Sequence, residues 1–228
     1  MRTIFVGDIH GCAVEFADLL FKLAYEKDTD RIFLTGDAFT RGPDPHGVWR
    51  QIKGTEARMV MGNHDHKLFL RLRRRLKGGD ETTLRPERKA VLDALMPVAR
   101  HVYKWLKTVP FWIEEEEWLL VHAGINPDRG LAGTTPHEFM KIRTWPLGAD
   151  LSGPRWHDHY SGEKTIIFGH DAPAGLVIKK KPDGRPLLLG LDTACVFGKE
   201  LTAYIWEEDR IVQVPSRKKA RARRPASP

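Results

Sequence analysis

The chain has 228 residues, 41% hydrophobic and 29% charged, which is the composition of a globular rather than a disordered protein. This length allows one substantial core or at most two small domains. No apolar run approaches the ~20 residues that a membrane-spanning helix needs. The formal net charge is +7, but residues 217–224 carry six basic groups and no acid, so 7 − 6 leaves +1 for the rest.

The basic run marks a tail, residues 215–228, that is expected to be disordered and to follow a single domain at residues 1–214. Such a tail either binds RNA or another polyanion weakly and in a salt-dependent way, or is a solvated extension without a dedicated partner. Cys12 and Cys195 allow one disulfide or two reduced thiols. Because the N-terminus lacks the apolar segment of a secretory signal, the expected location is cytoplasmic, without membrane association.

The first 61 residues alternate between apolar runs and polar loops. Short strands are predicted at residues 3–6, 31–35 and 57–61, and apolar side chains at helical spacing predict a helix over residues 13–24. A glycine-containing loop follows each strand. Strand, loop and helix in alternation predict an α/β fold.

Residues 66–109 are polar and mostly helical, with Pro86 at the start of a second helix and Pro110 just beyond its end. We interpret this segment as a helical cap inserted over the core. Residues 124–162 are loop-rich with a short helix, and residues 179–184 are a predicted turn. Further strands are predicted at residues 111–113, 118–121, 165–168, 187–191 and 201–206.

Five short polar clusters stand where predicted strands end. They are Asp8-Ile9-His10-Gly11, Gly36-Asp37, Gly62-Asn63-His64-Asp65, His122-Ala123-Gly124 and Gly169-His170. Loops at the strand ends of an α/β sheet converge on one edge, where they form sites. A single cluster is more often a turn or a capping pair, but five in succession predict a metal site. Carboxylate, amide and imidazole ligands without a thiolate suit Mn, Fe, Zn or Mg.

At these clusters the sequence resembles the phosphoprotein phosphatase branch of the calcineurin-like metallophosphoesterases. That family carries G-D-x-H-G, G-D-x-x-D-R-G, G-N-H-E/D, a later H-A-G and a further G-H. The corresponding segments here are residues 7–11, 36–42, 62–65, 122–124 and 169–170. The resemblance covers about residues 3–206 and implies a four-layer α/β fold, with a central β-sandwich flanked by helices and the metal ions at its edge.

The resemblance implies a dinuclear metal centre held by six side chains. Carried over residue by residue, they are Asp8 and His10 for one ion, Asp37 bridging both ions, and Asn63, His122 and His170 for the other. The family suggests two Mn2+ ions, while Co2+, Fe, Zn2+ and Mg2+ suit the same ligands. Two such cations lower the pKa of a shared water, and the resulting hydroxide attacks phosphorus in line.

Other residues are implied to bind the substrate and to protonate its leaving group. Arg41, with Asn63 beside it, would hold the phosphate through two parallel hydrogen bonds, which a lysine cannot make. His64 would be the general acid toward the departing oxygen. A second phosphate-binding arginine is expected later in the chain; Arg143 is the first choice and Arg155 the alternative, although either could form a surface salt bridge instead.

The second motif departs from the family pattern at Thr40, where protein phosphatases have an aspartate that orients and charges the catalytic histidine. A threonine carries no charge, so His64 would be a weaker proton donor. A serine or threonine alkoxide needs a proton as it leaves, whereas a phosphate leaving group, with a second pKa near ~6, needs little help. Thr40 therefore favours a phosphoanhydride over a phosphoserine as substrate.

The same departure occurs in symmetrical diadenosine tetraphosphatases, which the sequence also resembles at residues 191–195 (LDTAC), Gly198 and residues 201–203 (LTA). This resemblance implies hydrolysis of diadenosine tetraphosphate to two ADP. The chain is shorter than those enzymes between His122 and His170, where part of their substrate cap is expected. The alternatives are a phosphoserine or phosphothreonine phosphatase, a general phosphomonoesterase, and a metal-free module that binds RNA through its tail. The presence of all six expected ligands argues against the last.

Two further features leave their roles open. Asp192 is either a partner that orients a ligating histidine or a turn aspartate. A basic run after the third cluster is either a polyphosphate-binding surface or a solvated helix face. Its members are Arg71, Arg73, Arg74, Arg75 and Lys77.

Overall fold

The computed structural model describes residues 1–79, 83–146, 148 and 151–218, and in this part of the chain ten strands form two five-stranded sheets. The strands of the first sheet are β1 Arg2–Val6, β2 Asp30–Leu34, β3 Arg58–Met59, β9 Glu200–Ile205 and β10 Arg210–Pro215. Those of the second are β4 Trp112–Glu114, β5 Trp118–Val121, β6 Thr165–Phe168, β7 Val177–Lys180 and β8 Pro186–Gly190.

Each sheet contains three adjacent parallel strands. The first has the strand order β10-β9-β1-β2-β3, and the second has the order β4-β5-β6-β8-β7. In the first sheet β1, β2 and β3 run parallel, and in the second β5, β6 and β8 do so. The remaining strands pair antiparallel. Buried parallel strands need apolar side chains on both faces, which explains the apolar runs at residues 4–6 of β1 and 166–168 of β6.

Seven α-helices are described. They are α1 Ala13–Lys22, α2 Pro45–Thr55, α3 Asn63–Leu76, α4 Pro86–Leu95, α5 Ala99–Leu106, α6 Gly130–Gly133 and α7 Pro136–Lys141. The side chain of Asp44 accepts a hydrogen bond from the backbone of Gly47 at the start of α2, as an N-cap does. A 3-10 turn at Met96–Val98 separates α4 from α5, where Pro97 cannot donate a helical hydrogen bond.

Three hydrophobic clusters divide the molecule into four layers. Between the sheets, Phe5 packs edge-on against Trp118 with ring centroids 4.9 Å apart, and Leu120 and Tyr204 are also buried there. The outer face of the first sheet is covered by α1 to α5, and that of the second by α7 and the loops around Trp156. The predicted α/β sandwich flanked by helices is confirmed.

The helical segment predicted at residues 66–109 is part of the same core as the first sheet. Leu72, Leu92 and Val102 are fully buried in one cluster with the outer face of that sheet. Its first helix begins at Asn63, three residues before the predicted start and inside the third polar cluster. That this segment also caps the substrate stays a prediction.

The elements that sequence reasoning did not predict either lack a clear apolar period or lie at sheet edges. Helix α2 offers only Val48, Trp49 and Ile52 as buried large apolar side chains, which is too few for a clear helical period. Strand β7 is half exposed, with no fully buried residue. Strand β10 contains Arg210 and Gln213 and pairs on one side only.

The chain continues to contact the core after its last strand. Strand β10 extends one residue past the predicted domain end at residue 214. The backbone N–H of Arg217 donates to Glu15 Oε1 at 2.8 Å, and Lys218 Nζ donates to the Val196 carbonyl at 3.1 Å. The rest of the predicted basic tail lies outside the described residues. None of the described helices has the length and hydropathy needed to cross a membrane.

Candidate metal centre

Polar side chains follow the parallel strands of both sheets and meet at one edge of the sandwich. In chain order they are Asp8 and His10 after β1, Asp37 after β2, Asn63 after β3, His122 after β5 and His170 after β6. All except His122 line one open pocket of about 560 Å³. The structure therefore brings together the six side chains that the sequence predicts as ligands.

Asp8, His10 and Asp37 form one compact group of buried side chains. Their ligand atoms lie within 4.8 Å of one another. His10 Nε2 is 4.0 Å from Asp8 Oδ2 and 3.7 Å from Asp37 Oδ2. The hydroxyl of Thr35 donates to Asp8 Oδ1 at 2.8 Å and fixes the orientation of that carboxylate.

A second group shares Asp37 with the first and adds His122 and His170. His122 Nε2 lies 3.6 Å from Asp37 Oδ2 and 3.3 Å from Asn63 Oδ1. The other ring nitrogen of His122 is 2.8 Å from the carbonyl of Thr35. Because a carbonyl only accepts, Nδ1 carries the proton and the lone pair of Nε2 faces the group. Asp37 is thus the one carboxylate common to both groups.

The donor set fits divalent cations. His10 Nδ1 and His170 Nε2 are buried and have no hydrogen-bond partner among the described residues. Burial lowers the pKa of both imidazoles, which keeps them neutral. Burial, and then the nearby Asp192 carboxylate, raises the pKa of Asp8, and burial raises the pKa of Asp37 to about 7. Crowded buried carboxylates beside imidazole lone pairs are stabilised by a bound cation.

Unusual backbone geometry holds three of these candidate ligands in place. His10, Asp37 and His170 have φ values of 50°, 53° and 66°, in the left-handed region that non-glycine residues seldom adopt. Such strained residues concentrate at functional sites, where the surrounding structure enforces them. A Cβ atom at Gly169 would overlap Asp8 Oδ1, so this position requires glycine.

Arg41 and His64 lie against each other at the mouth of the pocket. Arg41 Nη2 donates to His64 Nε2 at 2.9 Å, and the guanidinium lies 5.4 Å from the ring centre of Phe197. Burial, and then Arg41, lowers the pKa of His64 to about 3. Thr40 Oγ1 is buried without a partner among the described residues. Within the described chain, no carboxylate hydrogen-bonds to the imidazole of His64.

The sequence offered Arg143, with Arg155 as the alternative, as the second phosphate-binding arginine, and the structure distinguishes their positions. Arg143 lines the pocket and donates through Nη2 to the carbonyl of His170 at 3.2 Å. Arg155 does not line it; its Nε lies 3.0 Å from Asp171 Oδ2. Asp171 Oδ1 is 3.7 Å from Arg143 Nε, so this carboxylate stands between the two guanidiniums.

Asp192 also lines the pocket, and its Oδ1 accepts a hydrogen bond from the backbone of Ala194 at 3.1 Å. It therefore has the predicted turn contact. Its charge raises the pKa of Asp8, and no hydrogen bond joins it to a histidine in the described chain. Asp192 thus adds a further carboxylate beside Asp8.

Comparison with known proteins decides the family. Residues 1–206 match the family described as calcineurin-like phosphoesterase. The chain belongs to this family. A crystal structure assigned as a candidate diadenosine tetraphosphatase is 30% identical, has a TM-score of 0.76, and is matched over 94% of this chain and 93% of its own. A serine/threonine phosphatase from Saccharomyces cerevisiae has a TM-score of 0.57 at 12% identity, which shows the shared fold alone.

Two of the curated relatives of this phosphoesterase are named as tetraphosphatases that differ in how they cleave. A protein of Baumannia cicadellinicola subsp. Homalodisca coagulata, named symmetrical bis(5'-nucleosyl)-tetraphosphatase, is 29% identical, covering 96% of this chain and 94% of its own. A protein of Oceanobacillus iheyensis, named asymmetrical bis(5'-nucleosyl)-tetraphosphatase PrpE, is 28% identical, covering 95% and 93%.

Sequence reasoning missed two carboxylates that support the site of this phosphoesterase. Asp65 is fully buried and accepts hydrogen bonds from the backbone N–H groups of Asp37 at 2.5 Å and Ala38 at 3.1 Å, so it holds the loop that carries the shared ligand. Asp171 holds the two arginines. Asp65 stands inside the G-N-H-D motif, and Asp171 directly follows a predicted ligand, which is the only sequence signal for either.

Proposed function

We propose that this phosphoesterase hydrolyses dinucleoside polyphosphates and converts diadenosine tetraphosphate into two ADP. The observation that carries the proposal is the environment of His64, whose imidazole is hydrogen-bonded to a guanidinium and, within the described residues, to no carboxylate. A nucleotide leaving group departs with little protonation, whereas a serine or threonine alkoxide does not. The names of the relatives at 28–30% identity support the same substrate class.

Two divalent ions, in our proposal Mn2+, complete the site. When bound, they lower the pKa of a shared water and neutralise phosphoryl oxygens. The residues that would hold them are Asp8, His10, Asp37, Asn63, His122 and His170.

The remaining polar residues act on the substrate. Arg41 and Arg143, both at the pocket, present N–H groups that bind phosphoryl oxygens in pairs. Asn63 lines the same pocket and helps to bind the phosphate. His64 lies where it can donate a hydrogen bond to the departing oxygen once phosphate has drawn Arg41 away from its Nε2 atom.

Asymmetrical cleavage is the second candidate, and chain length favours it. The alignment with the symmetrical relative extends over 286 positions for a chain of 228 residues, whereas that with the asymmetrical relative extends over 244. This phosphoesterase therefore lacks segments of the symmetrical relative, and its size is closer to that of the asymmetrical one.

The nucleotide products distinguish these candidates. With Mn2+ present, we expect diadenosine tetraphosphate to give ADP as the only initial product. Formation of AMP and ATP in equal amounts would establish asymmetrical cleavage. Asp37→Asn, which changes the carboxylate shared by both groups, serves as the control for a contaminating hydrolase and should form neither set of products.

A further inference from the structure

Helices α3 and α4 border a second pocket of about 280 Å³ next to the metal centre. Arg41, His64, Lys67 and Arg88 line both this pocket and the larger one that contains the ligands. The two form one continuous cleft. An extended substrate with a phosphoryl group at the metal centre can therefore continue into the pocket between α3 and α4, which we call the α3–α4 pocket.

The charged side chains of the α3–α4 pocket are almost all basic. They are Arg41, Lys67, Arg71, Arg85, Arg88 and the single carboxylate Glu87. Along α3, Lys67 and Arg71 stand three and seven residues after His64, which places all three on one face. Each helical turn advances about 5.4 Å, so the cations lead stepwise away from the catalytic histidine.

Four of these cations lack an ion-pair partner among the described residues. Lys67, Arg71, Arg85 and Arg88 have no ion pair with a carboxylate within 4.0 Å in the part of the chain that the structure describes. Basic residues elsewhere commonly have such partners; Arg75, one turn after Arg71, donates to Asp93 Oδ1 at 2.6 Å.

The cations of the pocket repel one another. Burial, and then Arg88, lowers the pKa of Arg71. Burial, followed by Lys141, lowers the pKa of Lys67. Like charges gathered in a half-buried cleft raise the local concentration of anions and are stabilised when one binds.

The members of the basic run at residues 71–77, whose role the sequence left open, lie in different environments. Arg71 lines the α3–α4 pocket. Arg73 and Arg74 are exposed on another face of α3, Arg75 is paired, and Lys77 lies beyond the end of the helix. One residue of the run thus faces the cleft, and Lys67, Arg85 and Arg88, which lie outside the run, join it.

We propose that the α3–α4 pocket binds the phosphate groups beyond the one at the metal centre, and that it thereby selects substrates with several consecutive phosphates over monoesters. A chain of phosphates carries negative charge at every unit, which matches cations spaced along one helix face. Arginines suit this task because each can grip two phosphate oxygens. The identity of the natural substrate rests on the function proposed above, but the preference for consecutive phosphates does not.

A competition experiment tests this pocket without a dinucleotide. Inorganic tetraphosphate and inorganic phosphate are compared as inhibitors of p-nitrophenyl phosphate hydrolysis by the full chain, with Mn2+ in excess over both. The test variant is Arg71→Gln/Arg88→Gln. The matched control is Arg73→Gln/Arg100→Gln, which removes the same charge from exposed positions outside the pocket.

For the test variant we expect the inhibition constant of tetraphosphate to rise at least about tenfold relative to that of phosphate, since a charge-assisted hydrogen bond is lost at each position. The control variant should show the wild-type ratio. Arg71→Lys/Arg88→Lys, which keeps both charges, should recover part of the loss seen for Arg71→Gln/Arg88→Gln. An unchanged ratio in the test variant, or an equal rise in the control, overturns the proposal. Whether wild-type protein cleaves diadenosine tetraphosphate is a separate measurement, so the two proposals can fail independently.

Discussion

In our proposal, the polar partner of His64 determines which leaving groups the site can accept. In this protein the imidazole accepts a hydrogen bond from Arg41, and the neighbouring Thr40 hydroxyl is buried without a partner in the described chain. A general acid contributes roughly 10²–10⁴-fold to the rate when its leaving group needs a proton. The absence of a carboxylate at position 40 therefore penalises monoesters of alcohols far more than anhydrides.

Restoring the carboxylate should shift the substrate preference. Thr40→Asp is expected to raise kcat/KM for a phosphothreonine peptide, relative to that for diadenosine tetraphosphate, by about tenfold or more, because it supplies the charge that makes His64 a better proton donor. Thr40→Asn has a similar shape without the charge and should leave the ratio near that of wild type. Equal ratios in the two variants would contradict this explanation.

That the six candidate ligands lie together could be predicted from the sequence, but the residues that support them could not. Parallel strands end at one edge of a sheet, so polar residues directly after apolar runs, such as Asp8 and His170, are predictably neighbours. The choice between Arg143 and Arg155 depends on which side of Asp171 each side chain approaches, and no local pattern encodes that position.

At the scale of elements, the short helix α7 fixes the loop that carries His122. The backbone N–H of Ala123 donates to the carbonyl of Phe139 within α7 at 2.8 Å. Thr135 and Glu138 form a reciprocal capping box at the start of the helix, and Asn126 Nδ2 donates to Glu138 Oε1 at 2.6 Å. Glu138 therefore links the helix to the turn that follows His122.

The capping box predicts a pH-dependent contribution to stability. Burial disfavours the charge of Glu138, but hydrogen bonds from Thr135 and Asn126 outweigh it and hold the pKa at about 2, below the ordinary 4.5. The stabilisation is therefore complete above pH 4.5 and is lost as the pH falls toward 2.

Glu138→Gln should lower the free energy of unfolding by about 1 kcal/mol at pH 7, a typical value for a helix cap. The difference from wild type should shrink between pH 4.5 and 2. Urea unfolding of metal-free protein across this range measures it, with the exposed Glu116→Gln as the control. A difference that does not change with pH would show that the charge of Glu138 is not what stabilises the cap.

Strands and helices with a clear pattern of apolar side chains could be predicted from the sequence, and those without one could not. Strands β1 and β6 are buried on both faces and read as apolar runs. Strand β10 was not predicted because its exposed edge carries polar residues. It is a strand because it pairs with β9, and the sequence contains no local signal for that pairing. Propensity does not report such tertiary pairing.

In the whole molecule, the candidate metal centre lies at one edge of the sandwich, after the parallel strands. Residues 217 and 218 contact the core away from the candidate ligands, because Arg217 pairs with Asp18 and Lys218 donates to the Val196 carbonyl. The predicted polyanion-binding role of the tail, and the predicted cytoplasmic location, stay predictions.

Two truncations of the chain test whether the tail contributes to catalysis. Deleting residues 219–228 removes four basic groups. Binding to a heparin or poly(U) column should weaken and become less dependent on salt. The value of kcat/KM for p-nitrophenyl phosphate should stay within about twofold of wild type. Deleting from residue 215 should in addition lower the melting temperature, since it removes the contacts of Arg217 and Lys218. Loss of catalysis in the shorter deletion would assign the tail to the active site.

In our proposal, this site favours phosphoanhydrides between nucleosides over phosphate monoesters on proteins. The most direct test compares kcat/KM for diadenosine tetraphosphate and for a phosphothreonine peptide at the same Mn2+ concentration, with Asp37→Asn as the inactive control. We expect the dinucleotide to be preferred by about 100-fold or more, given the range of a general acid's contribution. Equal values, or a preference for the peptide, would contradict the account and identify a protein phosphatase.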